Sequence, residues 1–393
     1  MKSLRPPRPD LEDLAPYDAC EPNVEVNLAA NENPSNLPHE IMERLAQRLP
    51  RLQFNRYPDP MANDLRTLIA EANGLDPGNV LVGNGGDELI FDLLLAWGGP
   101  GRKLLNMPPT FAMYEIDAQL TGTKVANVPR QADFSADEAA VLARLAKGDI
   151  DCVYIAHPNN PTGNLQPETF LIDVLKATDA LVLVDEAYFE FSRHTMRPHM
   201  GRHKNLVILR TFSKAFSLAG LRVGYLLAHE DVIQELTKVR QPYSVDRMSQ
   251  WIAATVFRER VVFESQISDL IRERDVLSHG LDRLDGITIF PSEANFVLFR
   301  IAHASAVWRD LLHSHGVLVR DLSRVPALED CLRVSVGAPE ENRRFLGGMT
   351  EIVAGRKAAE IFGTTNGAPY DGPVEPETGD AGAVAAHDQE PRD

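Results

Sequence analysis

Short β-branched apolar runs, each closed by a polar, glycine or proline turn, constrain this chain more than any other feature. Val80-Leu81-Val82, Cys152-Val153-Tyr154-Ile155-Ala156, Leu181-Val182-Leu183-Val184, Leu206-Val207-Ile208-Leu209 and Tyr225-Leu226-Leu227-Ala228 are all of this kind. Runs this short, rich in valine, isoleucine and leucine, read as buried strands rather than helices. They predict an α/β chain, and in an open α/β sheet ligands bind beyond the carboxyl ends of the strands. The turns that close these runs are therefore where functional residues belong.

Those turns carry the chemistry. Leu181–Val184 ends in Asp185, a carboxylate that is costly at a buried strand end unless it meets a cation. Val80–Val82 runs into Gly83-Asn84-Gly85-Gly86-Asp87. Glycines let a ligand approach the backbone there, and a helix start presents free N–H groups to an anion. The turn is not a Walker loop or a dinucleotide fingerprint, and a plain glycine turn with Asp87 as helix cap is the alternative. Between two core strands lies Thr211-Phe212-Ser213-Lys214, with Arg222 just before the second. A lysine held there loses hydration, which favours its neutral amine, and neutral amines form imines with carbonyl compounds. Pro158-Asn159-Asn160-Pro161-Thr162-Gly163 is a proline-bracketed turn after another strand. His157 before it is expected to be a hydrogen-bonded structural residue.

Thr211-Phe212-Ser213-Lys214-Ala215-Phe216-Ser217-Leu218-Ala219-Gly220-Leu221-Arg222-Val223-Gly224-Tyr225 resembles the cofactor-lysine signature of fold-type I aminotransferases, class I/II. Together with the Pro-Asn-Asn-Pro-Thr-Gly turn, the resemblance runs from about residue 15 to residue 355 and is greatest for the histidinol-phosphate aminotransferases. It implies a large domain with a mostly parallel seven-stranded sheet flanked by helices, plus a smaller α/β domain. The expected boundaries are an arm and entrance segment at 1–45, a cofactor domain at 46–279, a small domain at 280–362 and a disordered acidic tail at 363–393.

The cofactor implied is pyridoxal 5'-phosphate, held as an imine by Lys214, which also serves as catalytic base. Asp185 would pair with the protonated pyridine nitrogen, and Asn160 and Tyr188 would share the 3-oxygen. Phe111 would stack on the ring; a phenylalanine stacks as a tyrosine does but forms no hydrogen bond. Gly86, Asp87, Thr211, Ser213 and Arg222 would bind the phosphate, with the Asp87 carboxylate turned away from it. Tyr57 of Arg56-Tyr57-Pro58-Asp59-Pro60 would reach the phosphate of the other subunit, which implies a homodimer. Tyr17 and Asn33 would line the substrate entrance, although Asn31-Glu32-Asn33-Pro34 continues Ser35-Asn36 instead of the family's aromatic-glycine-proline. Arg333 would grip the anionic group of a substrate, and Arg320 a substrate phosphate. Transamination between an amino donor and a 2-oxo acid follows, with histidinol phosphate and 2-oxoglutarate as the expected pair. A broad aromatic aminotransferase and a phospho-amino-acid decarboxylase share the fold. A cofactor-binding regulator would need a DNA-binding domain, for which the N-terminal arm is too short.

Composition narrows the classes. A net charge of −16 argues against non-specific nucleic-acid binding. No apolar run approaches the roughly 20 residues that span a bilayer, and the first residues lack a secretory pattern. Cys20, Cys152 and Cys331 show neither metal spacing nor a disulfide framework, so a cytoplasmic setting is expected. The chain should enter a helix with an apolar stripe of Ile41, Leu45 and Leu49. Further on, Arg272-Glu273-Arg274-Asp275 should be a solvated face of the helical stretch 230–280.

Overall fold

The computed structural model describes residues 4–6, 8, 22 and 24–362, so Tyr17, Cys20 and the acidic segment 363–393 lie outside the described residues. The described residues up to Val353 form one compact unit, and the described part of a second unit from Ala354 is helical.

Among the described residues twelve strands fall into two sheets: β1 Val26–Leu28, β2 Val80–Asn84, β3 Lys103–Asn106, β4 Lys124–Asn127, β5 Cys152–Ala156, β6 Leu181–Asp185, β7 Leu206–Thr211, β8 Val223–Ala228, β9 Ile287–Phe290, β10 Phe296–Ile301, β11 Val317–Asp321 and β12 Cys331–Ser335. The larger sheet has seven strands in the order β2-β8-β7-β6-β5-β3-β4. All of its neighbours pair in parallel except β8, which is antiparallel to β2 and β7. Every residue of β5, β6, β7 and β8 is buried, as expected of strands covered on both faces. The two-residue period divides them cleanly. Val182, Val184, Leu206 and Ile208 join one apolar core, while Leu181, Leu183, Val207 and Leu209 join the other.

Strand direction positions the site. The parallel strands β3, β5, β6 and β7 all end at one edge of the sheet, delivering the turns with Phe111, Asn160, Asp185 and Lys214 there. β2 runs the same way and delivers Gly86 and Asp87. Because β8 runs oppositely, its beginning, with Arg222 just ahead of it, reaches the same edge. Gly224 is required at that point: a Cβ there would lie 2.8 Å from the Gly85 carbonyl carbon and 2.9 Å from the Gly86 nitrogen. Only glycine lets β8 pass this close to the start of the helix Gly85–Trp97.

The smaller sheet is ordered β1-β11-β12-β10-β9, antiparallel apart from the β1–β11 pair. The end of the expected arm is thus a strand, β1, in register with Val317–Val319. Arg320 and Arg333 face each other directly across β11 and β12.

Two expectations need correction. The entrance helix, His39–Arg48, buries Ile41 and Leu45, but Leu49 is 42% exposed. Pro50 cannot continue the helical hydrogen bonding, and Leu49–Arg51 forms a 3₁₀ turn instead. Arg274 is buried, not solvated: it shares a stripe with Leu270, Leu277 and Leu281 on the helix Glu264–Asp282 and donates to the Ala294 carbonyl at 3.1 Å. The charged run hid this spacing of four, three and four, which puts Arg274 on the packed face.

Candidate active site

A cavity of about 510 Å³ opens over the strand edge. Gly86, Asp87, Phe111, Asn160, Asp185, Tyr188, Thr211, Ser213, Lys214, Arg222, Arg320 and Arg333 all line it. Of the expected site residues within the described chain, Asn33 and Tyr57 do not.

At the floor, Asp185 Oδ2 accepts the Tyr114 hydroxyl at 2.7 Å and Oδ1 accepts the Ala187 N–H at 3.0 Å. Burial pushes its pKa up to about 6 despite these two bonds, and Asp87 and Glu186 push the same way. The Tyr114 phenol, wholly buried beside that carboxylate, is driven well above its ordinary value and serves as donor. Sequence reasoning passed over Tyr114. Its signal was the spacing of three from Phe111, which sets the two rings edge to face at 5.6 Å.

Lys214 Nζ donates to the Ala30 carbonyl at 3.1 Å. Burial lowers its pKa to about 8, with Arg333 and Arg222 acting in the same direction and Glu32 and Asp87 opposing. A lysine so placed carries a usable fraction of neutral amine near neutral pH. Tyr188 accepts from Asn31 Nδ2 at 3.0 Å, and burial pushes its phenol up to about 12. Asn160 Oδ1 accepts from Arg333 Nη1 at 2.6 Å, so the amide N–H₂ is the group Asn160 has left to offer. Arg333 Nη2 is anchored on the Ala29 carbonyl at 2.6 Å.

At the other end, the buried Thr211 hydroxyl donates to Ser213 Oγ at 3.0 Å, next to the first turn of the helix Gly85–Trp97. Asp87 is not that helix's cap; Asn84 is, and Glu88 Oε2 accepts the Asn84 N–H at 2.5 Å. Nor does the Asp87 carboxylate turn away from the anion-binding end, because Oδ2 pairs with Arg222 Nη2 at 2.8 Å. A guanidinium beside the first helical turn takes the nearest carboxylate, and both groups keep about half their exposure.

Asn33 also departs from expectation. Its amide donates to the Ala215 carbonyl at 3.2 Å and its oxygen accepts the Ser35 N–H at 2.9 Å, so it holds the loop and does not face a substrate. Asn31 and Glu32 line the cavity in its place. Tyr57 is 78% exposed and stacks on Tyr243 at 4.8 Å, outside the cavity. His157 is buried behind it, its Nδ1 accepting the Gln166 N–H at 3.3 Å, with burial lowering its pKa to about 4. Asn159, also unforeseen, joins two of the turns: it accepts from Thr110 and Arg130 and donates to the Pro109 carbonyl. That ties the segment carrying Phe111 to the one carrying Asn160.

The profile of a family described as aminotransferase class I and II matches residues 23–348. The chain belongs to that family. The histidinol-phosphate aminotransferase 1 of Carboxydothermus hydrogenoformans is 41% identical to this enzyme over 340 residues, spanning 86% of this chain and 96% of the relative. The solved histidinol-phosphate aminotransferase from Sinorhizobium meliloti, in complex with pyridoxal-5'-phosphate, has a TM-score of 0.79 at 24% identity, covering 85% of this aminotransferase and 92% of that chain; at this identity it speaks for the fold. An L-threonine-O-3-phosphate decarboxylase from Porphyromonas gingivalis has a TM-score of 0.73 at 26% identity, covering 84% and 99%.

The donor set of this aminotransferase fits pyridoxal phosphate. One end presents Thr211, Ser213, Arg222 and helix-start N–H groups to an anion. The other presents a buried carboxylate whose raised pKa marks the want of a cationic partner. A lysine of depressed pKa and the Tyr188 and Asn160 polar groups lie along the same cavity. Among the described residues there is no cluster of side chains suited to a metal ion, and no helix is long and apolar enough to cross a membrane.

Proposed function

We propose that this enzyme transaminates histidinol phosphate against 2-oxoglutarate, using pyridoxal 5'-phosphate bound at the cavity above. The single observation that carries the phosphate-bearing substrate is the pairing of Arg320 with Arg333. Two like charges directly opposite across antiparallel strands destabilise a sheet. Among the described residues the Arg320 side chain has no hydrogen bond or ion pair, yet it lines the cavity. An anion between the two guanidiniums offsets that repulsion, and each offers a planar fork suited to phosphate or carboxylate. The name of the 41% identical relative supports the same substrate.

When bound, the cofactor supplies an aldehyde that takes up the donor's nitrogen and a protonated pyridine that draws electrons from the reacting carbon. Asp185 would pair with that pyridine nitrogen and help keep it protonated, with Tyr114 holding the carboxylate in place. Tyr188 and Asn160 would hydrogen-bond the ring oxygen. Lys214 Nζ, neutral for part of the time near pH 8, would take the donor's α-proton and return a proton on the far side of the transferred nitrogen, at the carbon the aldehyde contributes. Arg222, Thr211, Ser213 and the helix-start N–H groups would hold the phosphate. Arg222→Ala is therefore expected to weaken cofactor retention by at least tenfold, measured as the cofactor concentration that restores half of the bound-cofactor absorbance. Unchanged affinity contradicts the phosphate role.

Substrate choice is tested on purified protein with a panel of amino donors, with and without a phosphate group. Glutamate should form from 2-oxoglutarate with histidinol phosphate as donor. Comparable rates with aromatic amino acids would favour the broader aminotransferase, and CO₂ in place of glutamate from a phosphorylated amino acid that carries a carboxyl group would favour the decarboxylase. The enzyme works as a homodimer in this reading: a tyrosine as exposed as Tyr57, held by stacking on Tyr243, is suited to reach a partner's phosphate site. Its free, buried thiols Cys152 and Cys331 support a cytoplasmic setting.

A further inference from the structure

The segment 29–33 is pinned from every side. The Ala29 and Ala30 carbonyls accept from Arg333 and Lys214. The Asn31 N–H donates to Ser335 Oγ at 2.8 Å, its Oδ1 accepts the Ser335 hydroxyl at 3.2 Å, and its carbonyl accepts from Asn295 at 3.0 Å. Asn33 is tied to Ala215. Asn31 itself has a φ of +54°, a left-handed conformation that asparagine tolerates better than most residues. Glu32 sits between these anchors and takes no part in them through its side chain. It is exposed on the cavity wall, and among the described residues its carboxylate has no hydrogen bond or ion pair. Its charge is felt within the site, where it opposes the lowering of the Lys214 pKa.

We infer that Glu32 determines donor specificity, its carboxylate accepting the ring N–H of the donor's imidazole; this rests on the substrate proposed above. The cavity leaves little else to accept that hydrogen. The Ala29 and Ala30 carbonyls and Asn31 Oδ1 are engaged, and Asp87 is paired with Arg222. The wall contributed by Leu322, Val325 and Leu328 is apolar and suits the ring's faces, not its N–H. Neutral imidazole has one N–H and the protonated ring two, so a carboxylate serves either form. A site built to receive such a donor rejects analogues that lack it far more strongly than an apolar pocket does.

The test compares kcat/KM for histidinol phosphate with that for a phosphorylated amino alcohol lacking the ring, on cofactor-loaded wild type, Glu32→Ala and Glu32→Gln. The ratio of the two should fall tenfold or more in Glu32→Ala and by an intermediate factor in Glu32→Gln, whose side-chain carbonyl still accepts. A thermal unfolding midpoint near that of the wild type shows that each variant is folded. An equal fall for both donors assigns Glu32 to the Lys214 proton balance and overturns the inference, as does an unchanged ratio. If the wild type itself fails to turn over histidinol phosphate, the substrate proposal is what has failed, and the inference goes with it.

Discussion

Lys214→Ala is expected to abolish transamination. Loss of the proton transfer alone costs roughly 10²–10⁴-fold, and loss of the amine that receives the cofactor's aldehyde takes the rate to background. Covalent capture provides a second readout. Borohydride, which fixes an aldehyde joined to an amine, should leave the wild-type peptide containing Lys214 heavier by the cofactor and the variant peptide unchanged. Uptake of the aldehyde by the cofactor-free protein should also follow the neutral fraction of Nζ. With a pKa lowered to about 8, uptake rises about tenfold from pH 7 to pH 9 and then levels off. A lysine at its ordinary value of 10.5 would show a steeper rise and no plateau in that interval. Turnover by the alanine variant, or labelling elsewhere, would remove Lys214 from the centre of the mechanism.

The second large effect is at Asp185. Asp185→Asn should lower kcat by about 10²–10³-fold, the scale seen when one preorganised electrostatic contact to a developing charge is lost. Stability should move the other way. Burial raises this carboxyl from 3.8 to about 6, so the folded chain holds its proton more tightly than the unfolded chain does. The resulting cost is absent below about pH 4, grows as pH rises, and is complete above about pH 6, where it amounts to roughly 3 kcal/mol. Cofactor-free Asp185→Asn should therefore resist denaturant better than wild type at pH 7, and this advantage should vanish at pH 4. A variant that keeps its activity within a few fold, or that is less stable at pH 7, would show that the carboxylate is not held there at a cost for the reaction. A group that weakens the fold and serves the chemistry is a common trade at active sites.

Much of the cavity was legible because its residues lie at the ends of short apolar runs, a local pattern. Asp185, Lys214 and Arg222 could be placed by reading where each run stops. Harder to read were residues that act by holding others. Tyr114 lies beneath Asp185, Asn31 beneath Tyr188 and Asn159 between two turns, and each bond joins segments dozens of positions apart or more. Asn33 was misjudged for the same reason. Nothing local says which of two asparagines a backbone carbonyl 182 residues away will claim.

By itself the sequence determined the α/β class, the strand runs and the lysine, carboxylate and arginine that close them, because side-chain period and turn chemistry are written in neighbouring residues. Only the tertiary structure decided that Arg320 stands opposite Arg333, that Arg274 is buried, that Asp87 pairs with Arg222 and that Glu32, not Asn33, faces the cavity. Those outcomes depend on register and on competition among distant hydrogen-bond partners, and both are settled only when the strands pack.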